Sequence, residues 1–251
     1  VVRPVAVIDQ EDESGTSQDG PPVPRRGRGV LATVVSVLGE LLITAGVIMG
    51  LFVVYSLWWT NVVANREAER DGAEVRENWA RNGPGGTEKE FDAGEGVGFL
   101  HVPSMGGEVL IKKGTSTEEL DKGVAGYYTK PVEATPPWEG DGNFSLAAHR
   151  DGHGAKFHDI HKIEKGDPIV LETEDTWYVY KVYEILPKTS KYHVEVLADV
   201  PEVSGKEEKG KYVTLTTCTP VLTSDYRYIV WGELVRTEKV DERRTPPKEI
   251  R

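Results

Sequence analysis

Lys211-Tyr-Val-Thr-Leu-Thr-Thr-Cys-Thr-Pro220 sets branched, aromatic and hydroxyl side chains in alternation and closes on a proline. Val, Thr and Tyr at a period of two read as a β-strand, and Pro220, which has no N–H for a ladder, ends it. By strand parity Thr216 shares the face of Cys218, while Val213, Leu215 and Thr217 point the other way. Leu215 is then a core residue and Thr216 a candidate groove residue. Cys218, the single cysteine of the chain, arrives where the strand opens into a loop. Such a thiol has two readings: a small buried hydrophobe, or a reactive group held at the end of a rigid sheet.

Six further short apolar runs, 97–102, 109–112, 144–148, 169–172, 177–185 and 228–235, are separated by Gly, Pro and Asp. Together with the Cys218 run they predict a mostly β barrel or sandwich. Two short helical insertions fit between them. Ser116 followed by Glu118, Glu119 and Leu120 reads as a capped helix start, and 156–163 puts Phe157, Ile160 and Ile163 on one helical face. The close of the chain, 238–251, reads as a polar, unpacked tail, and no internal repeat is present.

Toward the N-terminus the texture changes. Residues 1–29 are acidic and rich in Gly, Ser and Pro, which predicts disorder, and they end on Arg25, Arg26 and Arg28. Residues 41–60 carry no charge and meet the requirement of about 20 apolar residues for a membrane-spanning helix, predicted over 30–60. Tyr55, Trp58 and Trp59 stand at its far end as an interfacial belt, and the arginines precede it, so the N-terminus is expected in the cytoplasm and the rest outside. The apolar run exceeds a signal-peptide core of about 7 to 15 residues, which predicts an uncleaved, single-pass anchor. Residues 61–90 are charged at helical spacings without a broad apolar face, so they read as a solvated stalk. Gly83-Pro84-Gly85-Gly86 breaks it as a hinge before a domain spanning 91–237.

A net charge of −11 excludes the basic face that nucleic acid requires, and one cysteine excludes an intrachain disulfide. A nucleophilic cysteine needs an imidazole or cation nearby to favour thiolate. Of six histidines, His149 directly follows the run 144–148 and so stands at a strand end, whereas His101 and His193 lie within strand-like runs and read as structural. A hairpin through 220–225 would return Arg227 alongside the thiol, either as a donor to an oxyanion or as a surface arginine on an edge strand. His149, His153, His158 and His161 offer a rival reading, a membrane-tethered metal-binding module; a tethered binding module without catalysis is a third.

Thr214-Leu-Thr-Thr-Cys218, an arginine nine residues on at Arg227, and an apolar strand ending in His149-Arg150 resemble the sortases, membrane-anchored cysteine transpeptidases of mainly Gram-positive bacteria. Gly123-Val-Ala-Gly-Tyr-Tyr128, His149-Arg-Asp-Gly-His-Gly-Ala-Lys-Phe157 and Lys165-Gly-Asp167 resemble the actinobacterial class E branch in particular. The chain has Ala148 where the family usually has Gly, and Tyr127-Tyr128 where the branch often has His-Tyr.

The resemblance implies a mostly β fold, a closed barrel of about eight strands with short helices behind one transmembrane helix. It further implies Cys218 as nucleophile, His149 as general acid and base, Arg227 as oxyanion donor, and Tyr128 and Thr216 as substrate contacts, with no metal and no cofactor. The implied partners are the membrane, secreted proteins with a C-terminal Leu-Ala-x-Thr-Gly or Leu-Pro-x-Thr-Gly signal, and the amine of a peptidoglycan precursor. Neither an Asp-Pro-aromatic lid nor a second span, features of pilin-polymerising members, is seen, which implies a housekeeping anchoring role.

Overall fold

The computed structural model describes residues 29–82 and 95–251. The expected disordered tail, save its last residue, and the hinge at 83–86 lie outside the described residues. The chain divides into two compact units, residues 1–50 and 51–251. One long helix, α1 (Val30–Asn82), runs through the boundary. In the first unit its residues are mostly Val, Leu, Ile, Ala and Gly, with Glu40 the one charged side chain, and nearly all are exposed. Among the described residues it is the helix long and apolar enough to cross a membrane, and a helix suits that solvent because its backbone polar groups pair within the segment.

The second unit holds a barrel of β1 (Gly96–His101), β2 (Glu108–Lys113), β3 (Ala125–Tyr127), β4 (Gly142–Ala147), β5 (Pro168–Glu172), β6 (Thr176–Ser190), β7 (Lys211–Thr219) and β8 (Tyr226–Lys239). The strands close in the order β1-β2-β3-β4-β7-β8-β6-β5, which selects the barrel over the sandwich. Two pairs, β2 with β3 and β4 with β7, are parallel. A short helix, α2 (Thr117–Leu120), follows β2, with the Ser116 hydroxyl accepting from the Glu119 N–H as the capping pattern predicts. Leu100, Ile111, Phe144, Leu146, Ile169 and Leu215 fill the interior, joined by Phe157, Ile160 and Ile163 around the 3-10 turn His158–Lys162.

β7 stops at Thr219, one residue before Pro220. Two strands differ from the sequence reading. β6 continues past residue 185 through Pro187, because the proline falls where the register with β8 shifts between Leu186 and Thr189 and no ladder N–H is needed. β3 is an eighth strand that the apolar runs did not reveal. It is three residues long and contains Gly126, where a Cβ would lie 1.9 Å from the Gly114 carbonyl oxygen. The glycine admits that close approach, and its lack of a side chain is what hides the strand.

The stalk is not solvated along its length. Ala64, Ala68, Gly72, Val75 and Trp79 recur every three or four residues and face the barrel, where Ala68, Val75 and Trp79 pack with Phe99, Leu110 and Val124. Trp79 meets Phe99 edge to face at 5.5 Å between centroids. The face escaped notice because it is built mainly of alanine and glycine, which are apolar without being large. Polar contacts run beside it: Asn61 accepts from the Gly154 N–H at 2.8 Å, Asn65 accepts from Lys156 at 2.9 Å, and Asp71 pairs with Lys112. The C-terminal tail is also packed. Val240 is buried with Val170, Trp177 and Val179, Ile250 lies against them, and Arg236 makes a two-pronged pair with Glu249.

Glu172, at the end of β5, ties these parts together. The residue is 1 % exposed, and its carboxylate accepts from Arg76 of α1 at 3.0 Å, from Arg244 of the tail at 2.9 Å and from His101 of β1 at 2.9 Å. Burial pushes this carboxyl up, but the hydrogen bonds from His101, Arg76 and Arg244 and the Arg76 charge outweigh it and hold the group down at about 2. A depressed carboxyl contributes stability that is complete above its unfolded value of about 4.3 and is lost as pH falls toward 2. Glu172→Gln strips the counter-charge from two arginines and is expected to destabilise the barrel by about 3–5 kcal/mol near neutral pH, read from denaturant unfolding, with the difference from the parent shrinking below pH 4. Gly126→Ala is expected to prevent β3 from docking, read as loss of the cooperative thermal transition.

Candidate active site

β4 and β7 run side by side in the same direction, with Ala147 level with Thr216. Parallel strands end at the same edge of a sheet. The register continues past the last pair: the Ala148 N–H donates to the Thr216 carbonyl at 3.3 Å, and the Thr217 hydroxyl donates to the Ala148 carbonyl at 2.7 Å. One step further brings His149 level with Cys218. On the other side of β7, antiparallel β8 puts Arg227 directly opposite Cys218. Base, thiol and guanidinium thus come from three adjacent strands.

All three line one cleft of about 440 Å³, and Tyr128 and Thr216 line it too. The five residues singled out in the sequence are therefore brought together. Cys218 is partly exposed and has no disulfide, so the buried-hydrophobe reading of the thiol does not describe it. Tyr128 and Thr216 share a hydrogen bond of 2.9 Å, and the Thr216 hydroxyl also donates to the Leu146 carbonyl at 3.2 Å. Burial pushes the Tyr128 phenol up, against the pull of Thr216 and Arg227. A neutral phenol is what a groove lining needs to donate a hydrogen bond. Arg227 is only partly exposed, and its Nη1 donates to the carbonyls of Ser224 and Tyr226 at 3.1 and 3.0 Å. Those bonds use one nitrogen of a five-donor fork and fix its plane.

Residues that sequence spacing did not single out complete the setting. Arg150, 7 % exposed, donates to the Cys218 carbonyl at 3.3 Å and lies 5.6 Å from the Tyr228 ring. Asp151 accepts from the Leu222 N–H at 2.7 Å, which ties the loop after β7 to the loop after β4. Asp121, just past α2, lies 2.7 Å from His149 Nε2. No local pattern joins Asp121 to His149; only the closure of the barrel does. His193 does not sit in a strand: β6 has ended at Ser190, and His193 bonds Thr189 at 2.7 Å in a loop that lines the cleft. His101 is structural, as its bond to Glu172 requires.

The four histidines of the rival metal reading do not gather at one centre. His149 and His153 turn to Asp121 at 2.7 and 3.6 Å, His158 bonds the Arg150 carbonyl at 2.9 Å, and His161 bonds the His158 carbonyl at 3.3 Å. Among the described residues the one close set with metal-ligand chemistry is His101, Glu108 and Glu172. There Arg76 already bonds both carboxylates, at 2.7 Å to Glu108 and 3.0 Å to Glu172. That set is an ion-pair network.

A thiol at a strand end, a guanidinium opposite and an imidazole level with it, in one open cleft of a closed barrel, make up a constellation suited to acyl transfer through a thioester. Comparison with known proteins agrees with that class. The sortase domain model matches residues 100–235, and the chain belongs to the sortase family of cysteine transpeptidases. It is 62 % identical over 249 residues to Sortase SrtE2 of Streptomyces coelicolor, covering 97 % of both chains. It is 46 % identical over 202 residues to Sortase SrtE1 of the same organism, covering 79 % of this chain and 56 % of that one. The crystal structure of Sortase E1 from Streptomyces coelicolor with tripeptide in the active site superposes with a TM-score of 0.59 at 44 % identity, covering 63 % of this chain and 99 % of that one. Sortase E from Streptomyces avermitilis superposes at 0.56 with 35 % identity, covering 64 % and 100 %. The likeness to class E is thus carried by both sequence and fold.

Thr217 is 3 % exposed and its hydroxyl holds the carbonyl that precedes His149. Thr217→Val is expected to leave that carbonyl without its donor, costing about 1–3 kcal/mol of stability and lowering turnover by displacing His149. Thermal melting and a peptide-cleavage assay on the same preparation separate the two effects.

Proposed function

We propose that this chain is a single-pass membrane enzyme, N-terminus in the cytoplasm and barrel outside. In this reading it cuts a C-terminal sorting signal of the Leu-Ala-x-Thr-Gly or Leu-Pro-x-Thr-Gly type between Thr and Gly and joins the freed protein to peptidoglycan. The observation that carries the reading is the convergence of Cys218, His149 and Arg227 on one cleft. The arginines before the apolar helix and the tryptophans at its far end support the orientation.

The steps follow from the groups available. The Cys218 thiolate attacks the threonine carbonyl carbon, and the carbonyl oxygen takes up the electron pair as an oxyanion to which Arg227 donates. His149, protonated, gives its proton to the glycine nitrogen as the C–N bond breaks, leaving an acyl-thioester on Cys218. The amine of the peptidoglycan precursor then attacks the thioester, neutral His149 takes its proton, and the C–S bond breaks to return the thiolate. Tyr128 and Thr216, bonded to each other at 2.9 Å, line the groove where the peptide backbone lies.

Peptides carrying each of the two signals, incubated with the protein and an amine acceptor, test this directly. The expected result is release of the Gly-terminal fragment, a thioester adduct on Cys218 by mass spectrometry, and loss of both in Cys218→Ala with an unchanged melting curve. Arg227→Ala is expected to lower kcat by about 10²–10³. A Cys218→Ala protein that still cleaves, or failure to cleave either peptide, overturns the proposal.

A further inference from the structure

His149 Nε2 lies 2.7 Å from Asp121 Oδ1, a charge-assisted distance. Both side chains are partly shielded, 25 % and 35 % exposed. His153 Nδ1 stands 3.6 Å from the same oxygen, beyond hydrogen-bond length, so the carboxylate's close partner is His149. The aspartate is itself well held. Its N–H donates to the Thr117 carbonyl at 2.9 Å, and Ser116 caps the preceding turn. Two residues on, Gly123 has φ +72° and approaches α1 so closely that a Cβ would lie 2.9 Å from the Ala64 carbonyl. The corner carrying Asp121 is therefore clamped between α1 and β3, which fixes the backbone from which the carboxylate reaches His149.

A carboxylate accepts hydrogen bonds and donates none. Facing Nε2, it selects the tautomer with hydrogen on Nε2 and leaves Nδ1 as the nitrogen open to reactants. The cleft that His149 lines also holds Cys218, Arg227, Lys130, Lys191 and His193. No residue lining that cleft is Asp or Glu, so Asp121, bonded to His149 from beside it, is the acidic partner placed to balance an imidazolium there.

We propose that Asp121 is the positioning residue of His149: it fixes the Nε2–H tautomer, aims Nδ1 at the reacting nitrogen and stabilises the imidazolium that forms when His149 takes a proton. The inference rests on His149 being the proton carrier of the reaction proposed above. When His149 gives its proton from Nδ1 to the leaving amine, the ring returns to the Nε2–H form that Asp121 already holds. When the incoming amine later loses a proton, Nδ1 receives it, and no ring flip is needed between the two half-reactions.

The test uses the full chain in detergent micelles with 15N-labelled histidine, the His149 signals being identified by their loss in His149→Gln. At a pH where His149 is neutral, the parent is expected to show the Nε2–H tautomer, and Asp121→Ala a mixture of the two. With the cleaved peptide, Asp121→Ala is expected to lower kcat by about ten- to a hundredfold, with KM within about twofold because Asp121 is not among the residues lining the cleft. Asp121→Asn keeps the volume but not the charge, and its amide can turn an N–H to Nε2 and hold the opposite tautomer, so its kcat is expected to fall at least as far. It also serves if the alanine variant melts early. Identical tautomer signals in the parent and Asp121→Ala overturn the proposal. Unchanged kcat in Asp121→Ala beside an inactive His149→Gln overturns the role of Asp121 alone, whereas a His149→Gln enzyme that keeps its kcat overturns the catalytic reading of His149 and this inference with it.

Discussion

Two strands that run side by side in the same direction finish at the same edge, and in this barrel the pair is β4 and β7. His149 lies two residues beyond the end of one, and Cys218 lies near the end of the other. Their level position is a consequence of register alone: Ala147 opposite Thr216 makes Ala148 the partner of Thr217 and His149 the neighbour of Cys218. A slip of one residue would turn each side chain of β7 to the opposite face. Leu215, fully buried in the barrel interior, makes such a slip costly, so the hydrophobic core holds the register that the site requires. The antiparallel partner β8 then adds Arg227 opposite the thiol without further cost, because a strand pair already formed for stability carries it.

The barrel is also tied to the helix that precedes it. A stripe of small residues on α1 lets the helix backbone come close to β1 and to the turn before β3, and Arg76 reaches from the same stretch into the buried Glu172. Arg244 reaches the same carboxylate from the far end of the chain and lies 4.5 Å over the Trp79 ring. Segments far apart in sequence thus converge on one anion. Removing any of these hydrogen-bond partners loosens a shared junction, which is why effects at Arg76, His101 and Arg244 are expected to be coupled. The same docking fixes the corner that carries Asp121, so the stability of the helix contact and the geometry of the site share a support.

Much of the barrel was legible because most strands bury short apolar runs that Gly, Pro and Asp separate. Seven strands announced themselves in that way; Pro220 marked the end of β7, and Ser116 the start of α2. β3 did not, since a three-residue strand with a glycine at its centre has no pattern to show. The packing of the segment after the apolar helix was missed for a related reason: alanine and glycine contribute to a face by closeness rather than by size. In the site, Cys218 was conspicuous as a lone thiol at a strand end, and Arg227 followed from hairpin return. His149 stood out by its place after an apolar run. Asp121, Arg150 and Asp151 did not, because each acts through a partner distant in sequence.

Sequence by itself determined the apolar helix, the β character of the barrel, the strand that delivers Cys218 and the identity of the groups able to do acyl-transfer chemistry. These are local properties, written in composition, periodicity and the backbone limits of proline and glycine. Tertiary structure alone decided that β4 and β7 pair in parallel, that Arg150 lies beneath the thiol's strand, and that Asp121 meets His149 Nε2. The physical reason is that such contacts arise from barrel closure, where hydrogen-bonded register brings together residues up to about 70 positions apart, such as Ala148 and Thr217. No spacing along the chain encodes that distance.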